Sequence, residues 1–174
     1  MKKIFIHNHV LLLVCILTFV FANTAYSQTT KKDRKKEEAI ALKTAVVDSQ
    51  HYVFYAQTAI PQQGVARNLS YGYQVEFSKN QIDSYLPFFG VAYSIDYGST
   101  TSPLEFISKQ FSYSQTDGKK GGWSIVIQTN DTKDLKKLFL TVFENGSASL
   151  SVIGNDRQSI SFSGFVEPFK ENKK

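Results

Sequence analysis

The chain has 174 residues, 20 Lys and Arg against 15 Asp and Glu, a net charge of +5 and one cysteine, Cys15. That length suits one domain with a sizeable core, and a lone cysteine excludes an internal disulfide or a thiolate zinc site. Lys31, Lys32, Arg34, Lys35 and Lys36 form one basic run and Lys170, Lys173 and Lys174 another, while residues 37–169 hold 10 basic and 13 acidic side chains. A mildly acidic body argues against a nucleic-acid partner despite the high pI. The two runs read as solvated tails, or as contacts for a membrane surface or an anionic glycan.

In chain order, Lys2 and Lys3 precede an apolar run from Val10 to Ala22, and Ala25-Tyr26-Ser27 stands before Gln28. A charged start, an apolar middle and small residues at a cleavage site make a secretory signal peptide. The run has 13 residues, too few to span ~30 Å of hydrocarbon comfortably. Val14, not a small residue, precedes Cys15, which speaks against a lipid anchor. We expect residues 1–27 to be a signal peptide cleaved between Ser27 and Gln28, and the protein to be exported to the periplasm or cell envelope, or secreted. Cleavage would remove Cys15, His7 and His9, leaving His51 as the only histidine.

Residues 28–36 read as a basic flexible tail. Thr30 and Asp33 fit a capping box, and Ala39, Leu42 and Val46, flanked by Ile40 and Ala45, form a helical apolar stripe suited to docking on a sheet. Lysines in the first turn oppose the helix dipole, so fraying is expected before Glu37. From His51 the period becomes two: His51–Ala56, then Tyr71, Tyr73, Val75 and Phe77, then Phe111 and Tyr113, then Trp123, Ile125 and Ile127, with Val126 out of phase. Leu138–Phe143 is apolar at both parities and is expected to lie centrally or under the helix. Asn145-Gly146 suits a two-residue primed turn. Leu150 and Val152 follow, then a turn at Gly154–Arg157, then Ile160 and Phe162. Residues 122–166 thus form a four-stranded antiparallel meander, with Asp117-Gly118 marking a turn before it. The fold class is α+β, an N-terminal helix followed by about eight mostly antiparallel strands. Residues 37–169 are one mainly-β domain and 170–174 a basic C-terminal tail.

Two stretches carry a family resemblance. Tyr85-Leu86-Pro87-Phe88-Phe89-Gly90-Val91-Ala92-Tyr93 resembles a YLPYFGRAY signature, and the run from Asn145 to Val152, with Asn155 to Gly164, resembles a closing hairpin. Both are similar to an uncharacterised exported family of Bacteroidetes-type bacteria, domain-of-unknown-function family 4251. The signature has a basic residue where this chain has Val91. The resemblance implies a strongly curved, lipocalin-like sheet or half-barrel in the envelope, and no reaction.

The residues offer no catalytic constellation: no HExxH, GxSxG or phosphate loop. His51 reads as structural. Gly118-Lys119-Lys120-Gly121-Gly122 precedes a strand-like run and reads as a hairpin loop. Asp131 and Asp134 read as turn and capping groups, and Glu76 and Glu105 sit in separate strands. The Asn68, Asn130 and Asn145 triplets match a glycosylation pattern but carry little meaning in a bacterial periplasm. No metal and no cofactor is expected. Tyr85, Phe88, Phe89, Tyr93 and Tyr97 cluster around Pro87 and Gly90. They form either a proline-bent corner plugging the sheet or the mouth of a site for an apolar or glycan-like ligand. The expected function is therefore non-catalytic binding of such a ligand or of an envelope protein. The alternatives are a structural or interaction module, and a hydrolase relying on carboxylates alone.

Overall fold

The structure is a computed structural model that describes residues 33–70, 72–91, 102–118, 122–133 and 135–170. The expected signal peptide with its Ser27–Gln28 cleavage site, and Tyr93 and Tyr97, lie outside the described residues. The chain divides into two compact units, Met1–Ile40 and Ala41–Lys174.

In the first unit residues 33–40 are helical. The stretch 33–36, expected to belong to a tail, is thus part of the helix. Arg34 Nε lies 3.5 Å from Glu38 Oε1, an i,i+4 pair that weakly supports this solvent-facing turn.

In the second unit residues 41–43 are helical and Thr44–Ser49 form a π turn. The Ala45 carbonyl ends it by accepting from Gln50 N, from Ser49 Oγ at 3.0 Å and from His51 N at 2.9 Å. Gln50 takes the left-handed conformation, φ 50°, that a helix stop often requires. Of the stripe, Leu42 and Val46 are buried and Ala39 half-buried, while of the flanking residues Ala45 is buried and Ile40 exposed.

The strands are β1 (Tyr52–Pro61), β2 (Arg67–Asn68), β3 (Gln74–Phe77), β4 (Ile82–Tyr85), β5 (Glu105–Ser108), β6 (Phe111–Asp117), β7 (Trp123–Thr129), β8 (Leu135–Val142), β9 (Ser147–Gly154) and β10 (Ile160–Pro168). They form one antiparallel sheet in the order β5-β4-β3-β1-β10-β9-β8-β7-β6, with β2 also on β1. The sheet curls into a nearly closed barrel, and its two ends, β5 and β6, are consecutive in sequence. The strands beyond the expected eight or so are short: β2 has two residues and β5 four. The expected meander is β7 to β10.

Alternation fills the interior with Tyr52, Phe54, Phe77, Ile82, Ile125, Ile127, Leu138, Leu140, Leu150 and Phe162, each at most 1% exposed. Val126 is outward, opposite Phe139 and Ser114 in the ladder. Strand β8 is central, as expected, paired with β9 on one side and β7 on the other. Its inner face is buried at Leu138, Leu140 and Val142, while Phe139 on the outer face is 37% exposed. Leu42 of the helix lies instead beside Gly146, at a barrel end.

The turn at Asn145-Gly146 also differs. Only Gly146 has positive φ, at 83°. Gly146 N donates to Phe143 O at 2.9 Å and Phe143 N to Ser147 O at 2.8 Å. This is a three-residue loop with glycine at the left-handed position, not a primed pair. Asn145 Oδ1 accepts from Ser147 N and Oγ at 3.1 and 2.7 Å, which favours the longer loop.

Asp131 clasps the end of the seam. Its carboxylate accepts from Ser108 Oγ at 2.5 Å, Lys109 N at 2.7 Å and Gln110 N at 3.0 Å. It thereby ties the β5–β6 turn to the β7–β8 loop, the turn duty its sequence context suggested. Asp134 lies outside the described residues. The Ser108 hydroxyl and the Lys109 N–H, stabilising the anion, hold the Asp131 carboxyl below its ordinary pKa. A lowered folded pKa contributes stability that is present above the unfolded value, ~3.9, and is lost as pH falls through the folded one. Asp131→Ala should therefore lower the melting temperature at neutral pH, and the gap to the parent should close on acidification. A gap that stays constant down to strongly acid pH would show that the charge is not what matters.

Candidate functional site: an outward aromatic crevice

Strand β1 changes partner along its length, and the change opens a crevice. Tyr52 to Tyr55 pair with Phe77 to Gln74 of β3, whereas Thr58 and Ala59 pair with Asn68 and Arg67 of β2. Between them, Ala56 N donates to Tyr73 O at 2.9 Å and Leu69 N to Gln57 O at 2.8 Å. The register against β10 also shifts between Ala56 and Thr58, a bulge at Gln57. The resulting crevice, about 190 Å³, is lined by Tyr55, Ala56, Gln57, Leu69, Ser70, Gly72, Tyr73 and Phe165. All of these side chains are uncharged.

The crevice lies between two aromatic stacks. Tyr55 and Phe165, cross-strand partners on β1 and β10, have ring centroids 5.2 Å apart at 26°. Tyr73 and Tyr85 stack at 5.4 Å and 19°. One stack supplies Tyr55 and Phe165 to the lining and the other supplies Tyr73. Gly164 sits on the inner side of the same place, in register with Ala56 and Ala148. A Cβ there would lie 1.9 Å from Tyr55 O. Only glycine lets β10 come this close to β1, as at a barrel corner, and this approach brings Phe165 beside Tyr55.

Of the five residues singled out from sequence, three are described. Tyr85, at the end of β4, is 49% exposed and backs Tyr73 without lining the crevice. Phe88 and Phe89 pack against the core from the following loop, with the Arg157 guanidinium 5.8 Å from the Phe88 ring and that of Arg67 4.8 Å from the Phe89 ring. Val91 pins this loop to the β9–β10 connection, its N–H donating to Gln158 Oε1 at 3.3 Å and its carbonyl accepting from Gln158 N at 3.1 Å. Sequence reasoning missed Tyr55 and Phe165. A signal existed in Tyr52-Val53-Phe54-Tyr55, where aromatics occupy both parities, so one of them must face outward.

The titratable groups elsewhere serve structure. Tyr52 and Tyr113 meet inside the barrel with hydroxyls 3.1 Å apart, and Tyr113 donates to Gln115 Oε1 at 3.3 Å. Burial raises the pKa of both, Tyr52 well above the usual phenol value, with further upward pressure from Tyr113. Both therefore stay neutral at physiological pH. His51 Nε2 lies 3.2 Å from Glu76 Oε1, and its ring stacks on Phe169 at 4.1 Å. Gly118 N donates to Gly122 O at 2.8 Å and β6 pairs with β7 beyond them; Lys119, Lys120 and Gly121 lie outside the described residues. Among the described residues no group of three or more His, Cys, Asp and Glu side chains could hold a metal, and no helix is long and apolar enough to cross a membrane.

The geometry defines a helix-led antiparallel barrel with a packed interior and an uncharged aromatic cleft on its outside. The sequence profile of the family described as "Domain of unknown function (DUF4251)" matches residues 23–166, and the chain belongs to that family. A solved structure of a DUF4251 family protein from Bacteroides eggerthii DSM 20697 is similar in fold, with a TM-score of 0.54 and 15% identity over 77% of this chain and 91% of that one. No curated protein matches the chain.

Proposed function

We propose that the protein is an exported, non-catalytic component of the cell envelope that binds a small, neutral, ring-shaped ligand of apolar or glycan-like type in the outer crevice. The observation that carries this reading is the placement of the cleft between two stacked aromatic pairs, Tyr55–Phe165 and Tyr73–Tyr85. Aromatic faces hold an apolar or sugar ring by stacking. The Gln57 amide and the Ser70 hydroxyl in the same lining offer the few polar groups that orient a ligand. An uncharged wall suits a neutral ligand. The volume, about 190 Å³, is below the ~300 Å³ where sites for drug-sized molecules begin, so a single ring fits better than an acyl chain. The leader pattern of residues 1–27 supports export.

Calorimetric titration and thermal-shift screening with neutral mono- and disaccharides and small aromatic compounds test the proposal. Tyr73→Ala and Tyr55→Ala should each weaken binding about tenfold, the loss of ~1.4 kcal/mol from one stacking face and its buried area. Phe88→Ala, outside the crevice, should leave affinity unchanged. The reading fails if no compound binds, or if binding is indifferent to both tyrosines.

A further inference from the structure

Among the described residues no ladder joins β5 to β6, and these two strands at the seam present different edges. Along β6, Asn130 N donates to Gln110 O and Gly118 N to Gly122 O, both at 2.8 Å. These bonds fix the phase of the ladder: Ser112, Ser114 and Thr116 are hydrogen-bonded to β7, in register with Gln128, Val126 and Ser124. Antiparallel pairing alternates, so the N–H and C=O groups of Phe111, Tyr113, Gln115 and Asp117 turn away from β7 toward the seam. Among the described residues no strand pairs with that edge.

Edges left open are usually protected by shortness, lysine, proline or a bulge. Strand β5 conforms: it has four residues and begins with exposed Glu105. Strand β6 has seven residues, Phe-Ser-Tyr-Ser-Gln-Thr-Asp, with no lysine, no proline and an unbroken register from Phe111 to Asp117. Its outer-face side chains, Ser112, Ser114 and Thr116, are exposed and small enough for close approach by another strand. Its one charge, Asp117, is at the end.

We propose that β6 pairs edge to edge with β6 of a second copy of this chain, about a two-fold axis through Ser114. This goes beyond the ligand reading and does not depend on it. That register alone gives all four outward residues of each strand a partner. Antiparallel pairing about Ser114 sets Tyr113 opposite Gln115 and Phe111 opposite Asp117, so the outward groups of both strands meet one another. No like charges face, since Asp117 meets Phe111. Ser114 meets its own copy in the non-hydrogen-bonded position, where Cα atoms approach to ~4.5 Å. An axis through Tyr113 or Gln115 would leave outward groups without partners at the strand ends.

Light scattering and sedimentation over a range of concentrations read the association directly. The full chain should shift from monomer to dimer with increasing concentration. Ser114→Lys places two lysines opposite each other and should restore the monomer, while its melting temperature should match the parent's at concentrations where the parent is itself monomeric, because the side chain is exposed. Ser114→Cys should give a disulfide-linked dimer on mild oxidation, since the expected Cα spacing lies within the 4.4–6.8 Å a disulfide spans. The parent, whose one cysteine is Cys15, is run alongside. A monomer at every concentration, a dimer indifferent to Ser114→Lys, or a Ser114→Cys variant that links no more than the parent would overturn the proposal.

Discussion

Gly164→Ala should destabilise the protein by about 3 kcal/mol or more, the upper end for forcing atoms into a filled space. The added methyl would lie 1.9 Å from Tyr55 O and 3.0 Å from Tyr55 C. These are backbone atoms of the paired strand, so no side-chain rotation relieves the overlap. β10 must retreat from β1 where Gly164 faces Ala56, beside the bulge at Gln57. The melting temperature should fall by about 10 °C. Retreat also separates Phe165 from Tyr55, so any ligand held in the crevice should bind more weakly to the folded variant. A melting temperature within a degree or two of the parent would mean that β1 and β10 can part at no cost, contrary to this packing.

Phe162→Ala acts by the opposite means, an empty space rather than an overfilled one. Phe162 is fully buried and stands in register with Ala59 on one side and Leu150 on the other. Strands in a curved sheet cannot collapse onto a missing ring without breaking their ladders, so most of the cavity should persist. The expected loss is about 3–5 kcal/mol, against the ~5–15 kcal/mol that separates folded from unfolded states in typical domains. Urea denaturation should show a much lower midpoint with a similar slope. Phe162→Leu should lose well under half as much, because it keeps most of the volume. Equal losses for Ala and Leu would place the cost in the aromatic ring itself and not in the cavity.

Much of the fold was legible because its signals are local. Strands β7, β9 and β10 alternate over most of their length, with Val126, Ile153 and Phe165 as the exceptions, and one buried face leaves only one phase open to each. The helix stripe of Ala39, Leu42 and Val46 was equally plain, and Leu42 and Val46 of it are buried. The central place of β8 was legible from its apolar run, but which of its faces is buried was not, because Phe139 is as apolar as its buried neighbours. The Asn145-Gly146 turn misled because the same dipeptide serves two loop lengths. The choice was made by Asn145 Oδ1 bonding to Ser147.

The site was less legible, for a physical reason. Tyr85, Phe88 and Phe89 stand close in sequence and form a conspicuous aromatic cluster, yet none of the three lines the crevice. The crevice draws Tyr55, Tyr73 and Phe165 from β1, the β2–β3 connection and β10. Those residues meet only through ladder register, a shift of register at Gln57 and the close approach at Gly164. None of these is a property of one segment.

The longest ladder in the molecule joins its first strand to its last, with residues 62–159 lying between Pro61 and Ile160 at the near end. Closing so long a loop costs about 3 kcal/mol more entropy than closing a tight hairpin. The meander of β6 to β10, joined by short turns, can form first, and β1 then adds to a template that already exists. Folding should be slow and late for a chain of this size, because the barrel has no complete wall until β10 has been synthesised. A barrel that cannot close before its last strand is made suits the export proposed above, since translocation acts on a chain that has not yet closed.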